Sequence, residues 1–156
     1  MKIFLDSTIF FEAVAKNSEA SRLKTLLRHA VNDKHILVTS LTVYGEIVQV
    51  CIRDDRDNDL KDILKLIADL DIQCWLPNPL LRDCCKCLDK KDKENRVGLS
   101  DRTHLAYSMS YGDDYFLTLD KDLLHFPIDR CKCKRCDIHK DNKEKIISPK
   151  ELRKIL

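Results

Sequence analysis

Apolar and polar positions fall in blocks whose period changes along the chain, and the changes mark the elements. Residues 2–5 (Lys-Ile-Phe-Leu) predict a short strand that runs straight into Asp6. An apolar helix carrying Ile9, Phe10 and Val14 follows, and Asn17 or Ser18 can cap a second one with Leu23, Leu26, Leu27 and Ala30 at helical spacing. Ile36-Leu37-Val38 reads as a buried strand, after which Ser40 can cap a helix over about 41–52. Residues 53–59 are charge-rich and read as a turn, and Leu60, Ile63, Leu64, Ile67 and Leu70 mark another helix. A third short strand at 72–75 is stopped by Pro77 and Pro79. Helices are predicted over about 80–91 and 99–111, with a polar loop at 93–98 between them, and a strand over 115–119. The chain closes on a strand at Ile146-Ile147, a cap at Ser148, Pro149 in the first helical position and Glu151 completing a capping box before Leu152 and Leu156.

Strands alternating with helices imply an α/β fold: a central parallel sheet of four to five strands, sandwiched between helices. A length of 156 residues predicts a single domain spanning 1–156. Residues 130–145 break the pattern; they are basic and cysteine-rich, and read as an insertion before the last strand.

Composition narrows the function classes. Hydrophobic residues at 44% and charged residues at 35% suit a folded chain, and a net charge of +2 neither demands nor excludes a nucleic-acid partner. Only 3 glycines argue against a Gly-rich nucleotide loop, and 6% aromatics against an extended base-stacking platform. No stretch approaches the roughly 20 apolar residues of a membrane span, and Ile3-Phe4-Leu5 is too short for a signal segment, so the expectation is a cytoplasmic protein without membrane contact. Eight cysteines in a reducing compartment read as buried thiols or metal ligands.

Four carboxylates stand at the ends of apolar runs: Asp6, Glu46, Asp101 and Asp120. Singly, Asp6, Asp101 and Asp120 also fit helix caps, and Asp122 rivals Asp120, though it fits a helix N-terminal position better. Glu46 is harder to explain away, because Val43, Ile47 and Val50 surround it and an unpaired buried carboxylate costs several kcal/mol. It needs a basic group or a metal. In open α/β sheets, acids at strand carboxyl ends converge on one edge. Their repulsion is relieved by a bound cation, and oxygen ligands select Mg²⁺ or Mn²⁺. Arg102 and His104 read as ordinary exposed side chains, with phosphate contact as the alternative.

The order Leu5-Asp6-Ser7-Thr8, Glu46 in an apolar helix, Leu99-Ser100-Asp101, and Leu117-Thr118-Leu119-Asp120-Lys121-Asp122 resembles the PIN domain family, most closely the VapC-type toxin ribonucleases. The ending Ile146-Ile147-Ser148-Pro149-Lys150-Glu151-Leu152 is similar to that family's closing strand and helix. The resemblance implies an α/β/α sandwich and Mg²⁺- or Mn²⁺-dependent hydrolysis of RNA phosphodiesters, leaving 5′-phosphate and 3′-hydroxyl ends. It implies Asp6, Glu46, Asp101 and Asp120 as the catalytic quartet, with metal held by Asp6, Asp101 and Asp120. Thr8 and Thr118 match the hydroxyl residues beside the first and fourth acids. It further implies an antitoxin partner and a homodimer, for which Phe10, Phe11 and Val14 could supply the interface. Two rivals stand beside this reading: a PIN-type RNA-processing nuclease without a toxin role, and a non-catalytic RNA-binding or assembly module.

The 130–145 segment has no counterpart in that pattern. Cys131, Cys133 and Cys136 with His139 could hold a structural Zn²⁺, with Cys84, Cys85 and Cys87 as further candidate ligands; a reduced loop or one disulfide are the alternatives. Its lysines could touch RNA phosphates or only water. Cys51 and Cys74 read as small core residues.

Overall fold

The computed structural model describes residues 1–92, 97–126, 128 and 145–156, without the Lys91 side chain; the residues proposed for zinc, Cys131, Cys133, Cys136 and His139, lie outside them. The elements, in order, are β1 (Lys2–Leu5), α1 (Ser7–Val14), α2 (Ser18–Asn32), β2 (Ile36–Ser40), α3 (Leu41–Arg53), α4 (Asp57–Asp69), β3 (Gln73–Trp75), α5 (Leu81–Lys91), α6 (Leu99–Tyr111), β4 (Tyr115–Leu117), α7 (Lys121–Leu124), β5 (Lys145–Ile147) and α8 (Pro149–Ile155). All strands are parallel, in the order β3-β2-β1-β4-β5.

This order fixes where a site can form. From β1 the chain winds outward to β2 and β3, then crosses back to β4 and β5 on the far side of β1. Right-handed crossovers in opposite directions put α1–α4 on one face and α5–α6 on the other. The reversal lies between β1 and β4, and the crevice beyond their carboxyl ends is the topological switch point. Both strands are buried there: Ile3, Phe4, Leu5, Phe116 and Leu117 have no exposed surface, and Phe4 stacks on Phe116 at 5.1 Å.

The helices begin where side chains satisfy their first amides. Asn17 accepts from the Ala20 amide, Ser40 from Val43, and Ser148 and Glu151 form the predicted capping box. Two boundaries differ from the sequence pattern. The turn after α3 is shorter, because α4 starts at Asp57 with Asp57 and Asp59 in its first turn, where acids favour a helix N-terminus. Strand β4 ends at Leu117 rather than 119, because hydroxyl groups take the next amides: Leu119 N–H donates to Thr8 Oγ1 (3.1 Å) and Asp120 N–H to Thr118 Oγ1 (3.0 Å).

Phe10 and Val14 do not supply a surface. They are 0% and 5% exposed in the core of this chain, and Phe11 lies under the Arg56 guanidinium at 4.8 Å. Their apolar helix packs inward against α2 and α4, which corrects the interface predicted from sequence.

Candidate active site

Asp6 is the N-cap of α1, directly beyond β1, and is 1% exposed. Its side chain caps nothing. Instead Thr8 and Thr118 both donate hydroxyl hydrogens to Asp6 Oδ2, each at 2.8 Å, while Oδ1 faces His104 Nδ1 at 3.2 Å. Burial pushes this carboxyl up, but His104, Thr118 and Thr8 outweigh it and hold it below its ordinary value. Asp6 is therefore an anchored anion. The two threonines have a second use: the amides they accept, at Leu119 and Asp120, lead into α7 and tie it to the Asp6 carboxylate.

Asp120 does cap a helix. Its Oδ1 accepts from the amides of Asp122 (2.7 Å) and Leu123 (3.0 Å) at the start of α7. Asp122 is an exposed first-turn residue that contributes its backbone to this cap. Both cap bonds fall on one oxygen, so capping and a role in the acidic cluster are compatible.

Asp101 sits in the first turn of α6, and no side chain caps that helix at Gly98. A β-carbon at Gly98 would lie 3.0 Å from Asp101 Oδ2, so the carboxylate rests in space that only glycine leaves open. Burial, then the charge of Asp6, with smaller contributions from Asp120 and Glu46, push Asp101 up to about 6 against the opposing effect of His104. Asp101 thus feels the other three predicted acids, which come from the end of β1, from α3 and from the start of α7.

Glu46 has the partner its position required, though its helix is less buried than the sequence suggests. Val43, Ile47 and Cys51 form the inward face of α3, while Leu41, Val48 and Ile52 are exposed at 51%, 38% and 66%. The Glu46 side chain is 30% exposed, and its Oε2 lies 3.3 Å from both His104 Nε2 and Ser100 Oγ.

Two residues are not what the sequence predicted. Arg102 is only 14% exposed and pairs with Asp89 and Asp92, joining α6 to the end of α5. His104 is completely buried, with one ring nitrogen toward Asp6 and the other toward Glu46. The signal was spacing: Ser100, Asp101 and His104 lie three and four apart, on one helix face.

A donor set for a cation is present. One atom each from Asp6, Asp101 and His104 come within 4.8 Å of one another. Anionic oxygens that repel one another, with one imidazole nitrogen, suit a divalent ion.

A five-stranded parallel α/β sheet with acids gathered at its switch point defines the PIN class of fold. The chain belongs to the PIN domain family, a family of nucleases: the family model matches residues 3–128. No curated protein sequence matches significantly. Among solved structures, the chain is similar to VapBC2 from Rickettsia felis bound to a DNA fragment from its promoter (TM-score 0.65, 12% identity, covering 95% of this chain and 98% of that one). It is also similar to VapBC-1 from nontypeable Haemophilus influenzae (0.61, 15%, 96% and 99%). A third is Mycobacterium tuberculosis VapC20, a sarcin-ricin loop cleaving toxin (0.58, 15%, 77% and 91%). At these identities the likeness is one of fold. Among the described residues, no helix is long and apolar enough to cross a membrane.

Proposed function

We propose that the chain is a divalent-metal-dependent ribonuclease that hydrolyses RNA phosphodiester bonds, acting as the toxin of a toxin–antitoxin pair. The observation that carries this reading is the convergence of Asp6, Glu46, Asp101 and Asp120 on one crevice, with Asp101 pushed up to about 6 by burial and by the other three acids. Such repulsion is a cost to the fold unless a cation offsets it. The family model and the VapBC neighbours support the nuclease class and an antitoxin partner.

In this reading Asp6 and Asp101, with Asp120, would hold Mg²⁺ or Mn²⁺. The ion supplies charge for the phosphate oxygens and a lowered pKa for attacking water. Thr8 and Thr118 keep Asp6 ionised and fixed in direction. Asp120 is fixed by the amides it caps and keeps one oxygen for the cluster. Glu46, more solvent-accessible than Asp6 on the other side of His104, would orient the attacking water or complete the metal shell.

Product ends test the chemistry. The purified chain with Mn²⁺ should leave 5′-phosphate and 3′-hydroxyl termini on RNA, and its induced expression in a bacterial host should arrest growth. Cyclic 2′,3′-phosphate ends would exclude metal-dependent hydrolysis of this kind. Cleavage without growth arrest would leave a ribonuclease that is not a toxin.

A further inference from the structure

We propose that His104 is itself a ligand of the cation, through Nδ1, and that Glu46 orients it through Nε2, making a mixed oxygen–nitrogen site that takes Mn²⁺ in preference to Mg²⁺. The inference rests on the metal-dependent reading above and extends it, since sequence pattern assigns the ion to carboxylates alone.

The imidazole geometry carries the argument. His104 has no exposed surface, so neither ring nitrogen can be satisfied by bulk water. Nε2 lies 3.3 Å from Glu46 Oε2 and 3.4 Å from Ser100 Oγ, which gives its N–H an acceptor on α3. A neutral ring that donates from Nε2 carries a lone pair on Nδ1. That lone pair points at Asp6 Oδ1, itself an acceptor, 3.2 Å away. Without metal, a proton on Nδ1 makes this contact a hydrogen bond to the carboxylate, as the lowered Asp6 requires; a metal ion can take that proton's place. For two adjacent ligands of an octahedral ion with bonds of roughly 2.1 Å, the expected separation is about 3.0 Å. The observed spacing is close to that edge, and Asp101 offers a third donor, one carboxylate oxygen within 4.8 Å of a His104 nitrogen and an Asp6 oxygen.

The outer half of the arrangement points the same way. Metal-bound histidines regularly donate their remaining N–H to a carboxylate, which fixes tautomer and ring direction. Glu46–His104 is such a pair, contributed by two helices, α3 and α6. It also accounts for a glutamate that is only part-buried yet directed inward. Glu46 is then a positioning residue for the ligand. A nitrogen donor favours a first-row transition ion over Mg²⁺, which prefers oxygen and retains its waters.

The test uses the full chain, stripped of metal and titrated calorimetrically with Mn²⁺ and with Mg²⁺, together with pulsed electron paramagnetic resonance of the Mn²⁺-loaded protein. The wild type should show ¹⁴N coupling from a bound imidazole and at least a tenfold preference for Mn²⁺. His104→Leu should lose the coupling and weaken Mn²⁺ binding tenfold or more, by a larger factor than it weakens Mg²⁺ binding. The wild-type spectrum decides the matter even if the variant does not fold. Mn²⁺ bound without nitrogen coupling would overturn the ligand assignment and leave the ribonuclease proposal standing. A wild type that binds neither ion at millimolar concentration would overturn both.

Discussion

At the scale of single residues, the site is organised by what surrounds Asp6. Two threonine hydroxyls converge on its Oδ2, and a buried histidine faces its Oδ1. Thr118 is fully buried; its hydroxyl, 3.3 Å from that of Thr8, joins two groups, donating to the Asp6 carboxylate and accepting from the Asp120 amide. Thr118→Val keeps the shape and removes both bonds. We expect a loss of about 1–3 kcal/mol in stability, read from urea unfolding midpoints, because a half-buried amide and a buried carboxylate each lose a partner. An unchanged midpoint would mean that the hydroxyl bridge is energetically idle. The four acids were legible at the ends of apolar runs, although three of them also fit helix caps, and the two threonines only through the resemblance to the PIN domain family. His104 was not. It lies in a helix buried almost all round, from His104 to Ser110, so its polar residues mimic a solvent-facing stripe. Burial on both sides of a helix leaves no amphipathic pattern to read.

At the scale of elements, capping signals explain why most boundaries were legible. Asn17, Ser40 and Ser148 each stop one periodicity and start another, and each accepts the amide its position calls for. Strand β4 was predicted too long because Thr118 and Leu119 continue its apolar pattern, while side-chain hydroxyls, invisible to periodicity, end the ladder. The start of α6 shows how an element places chemistry. Gly98 has φ −59° and ψ 157°, which alanine also adopts, so replacing it carries little backbone cost. The added methyl would lie 3.0 Å from Asp101 Oδ2 and displace the carboxylate. Gly98→Ala should therefore melt within about 2 °C of the wild type, corresponding to under roughly 1 kcal/mol. Its Mn²⁺ affinity should fall severalfold by calorimetry. Unchanged affinity would show that the Asp101 position is not set by this contact.

At the scale of the whole molecule, the doubly wound sheet brings residues more than a hundred positions apart to one crevice and leaves a second buried acid away from it. Asp113 is 1% exposed, and both its oxygens accept from Trp75 Nε1 at 3.2 and 3.1 Å. Burial pushes this carboxyl up to about 7, against the opposing effects of Trp75, Ser108 and Lys2. An unfolded aspartate titrates near 3.9. Between those values the folded chain binds the extra proton, so stability is greatest at low pH in this respect and falls as pH rises through about 7. The decrease is on the order of 2–4 kcal/mol across that window. Asp113→Asn should remove it, raising the unfolding midpoint at pH 8 more than at pH 4, with the fluorescence of Trp75, the single tryptophan, as reporter. Equal effects at both pH values would contradict the assignment.

The topology itself was legible because strand–helix alternation and right-handed crossovers leave few arrangements. The interface expected from Phe10 and Val14 was not, because an apolar helix face reads alike whether it serves a core or a partner, and that of α1 serves the core. If the acids at this switch point cut RNA with a divalent ion, the Mn²⁺-dependent cleavage rate of labelled RNA must separate the wild type from Asp6→Asn. The variant should cleave at least a hundredfold more slowly, equivalent to about 2.7 kcal/mol or more of barrier, with circular dichroism unchanged. A folded Asp6→Asn that cleaves as fast as the wild type would contradict this role for the acids.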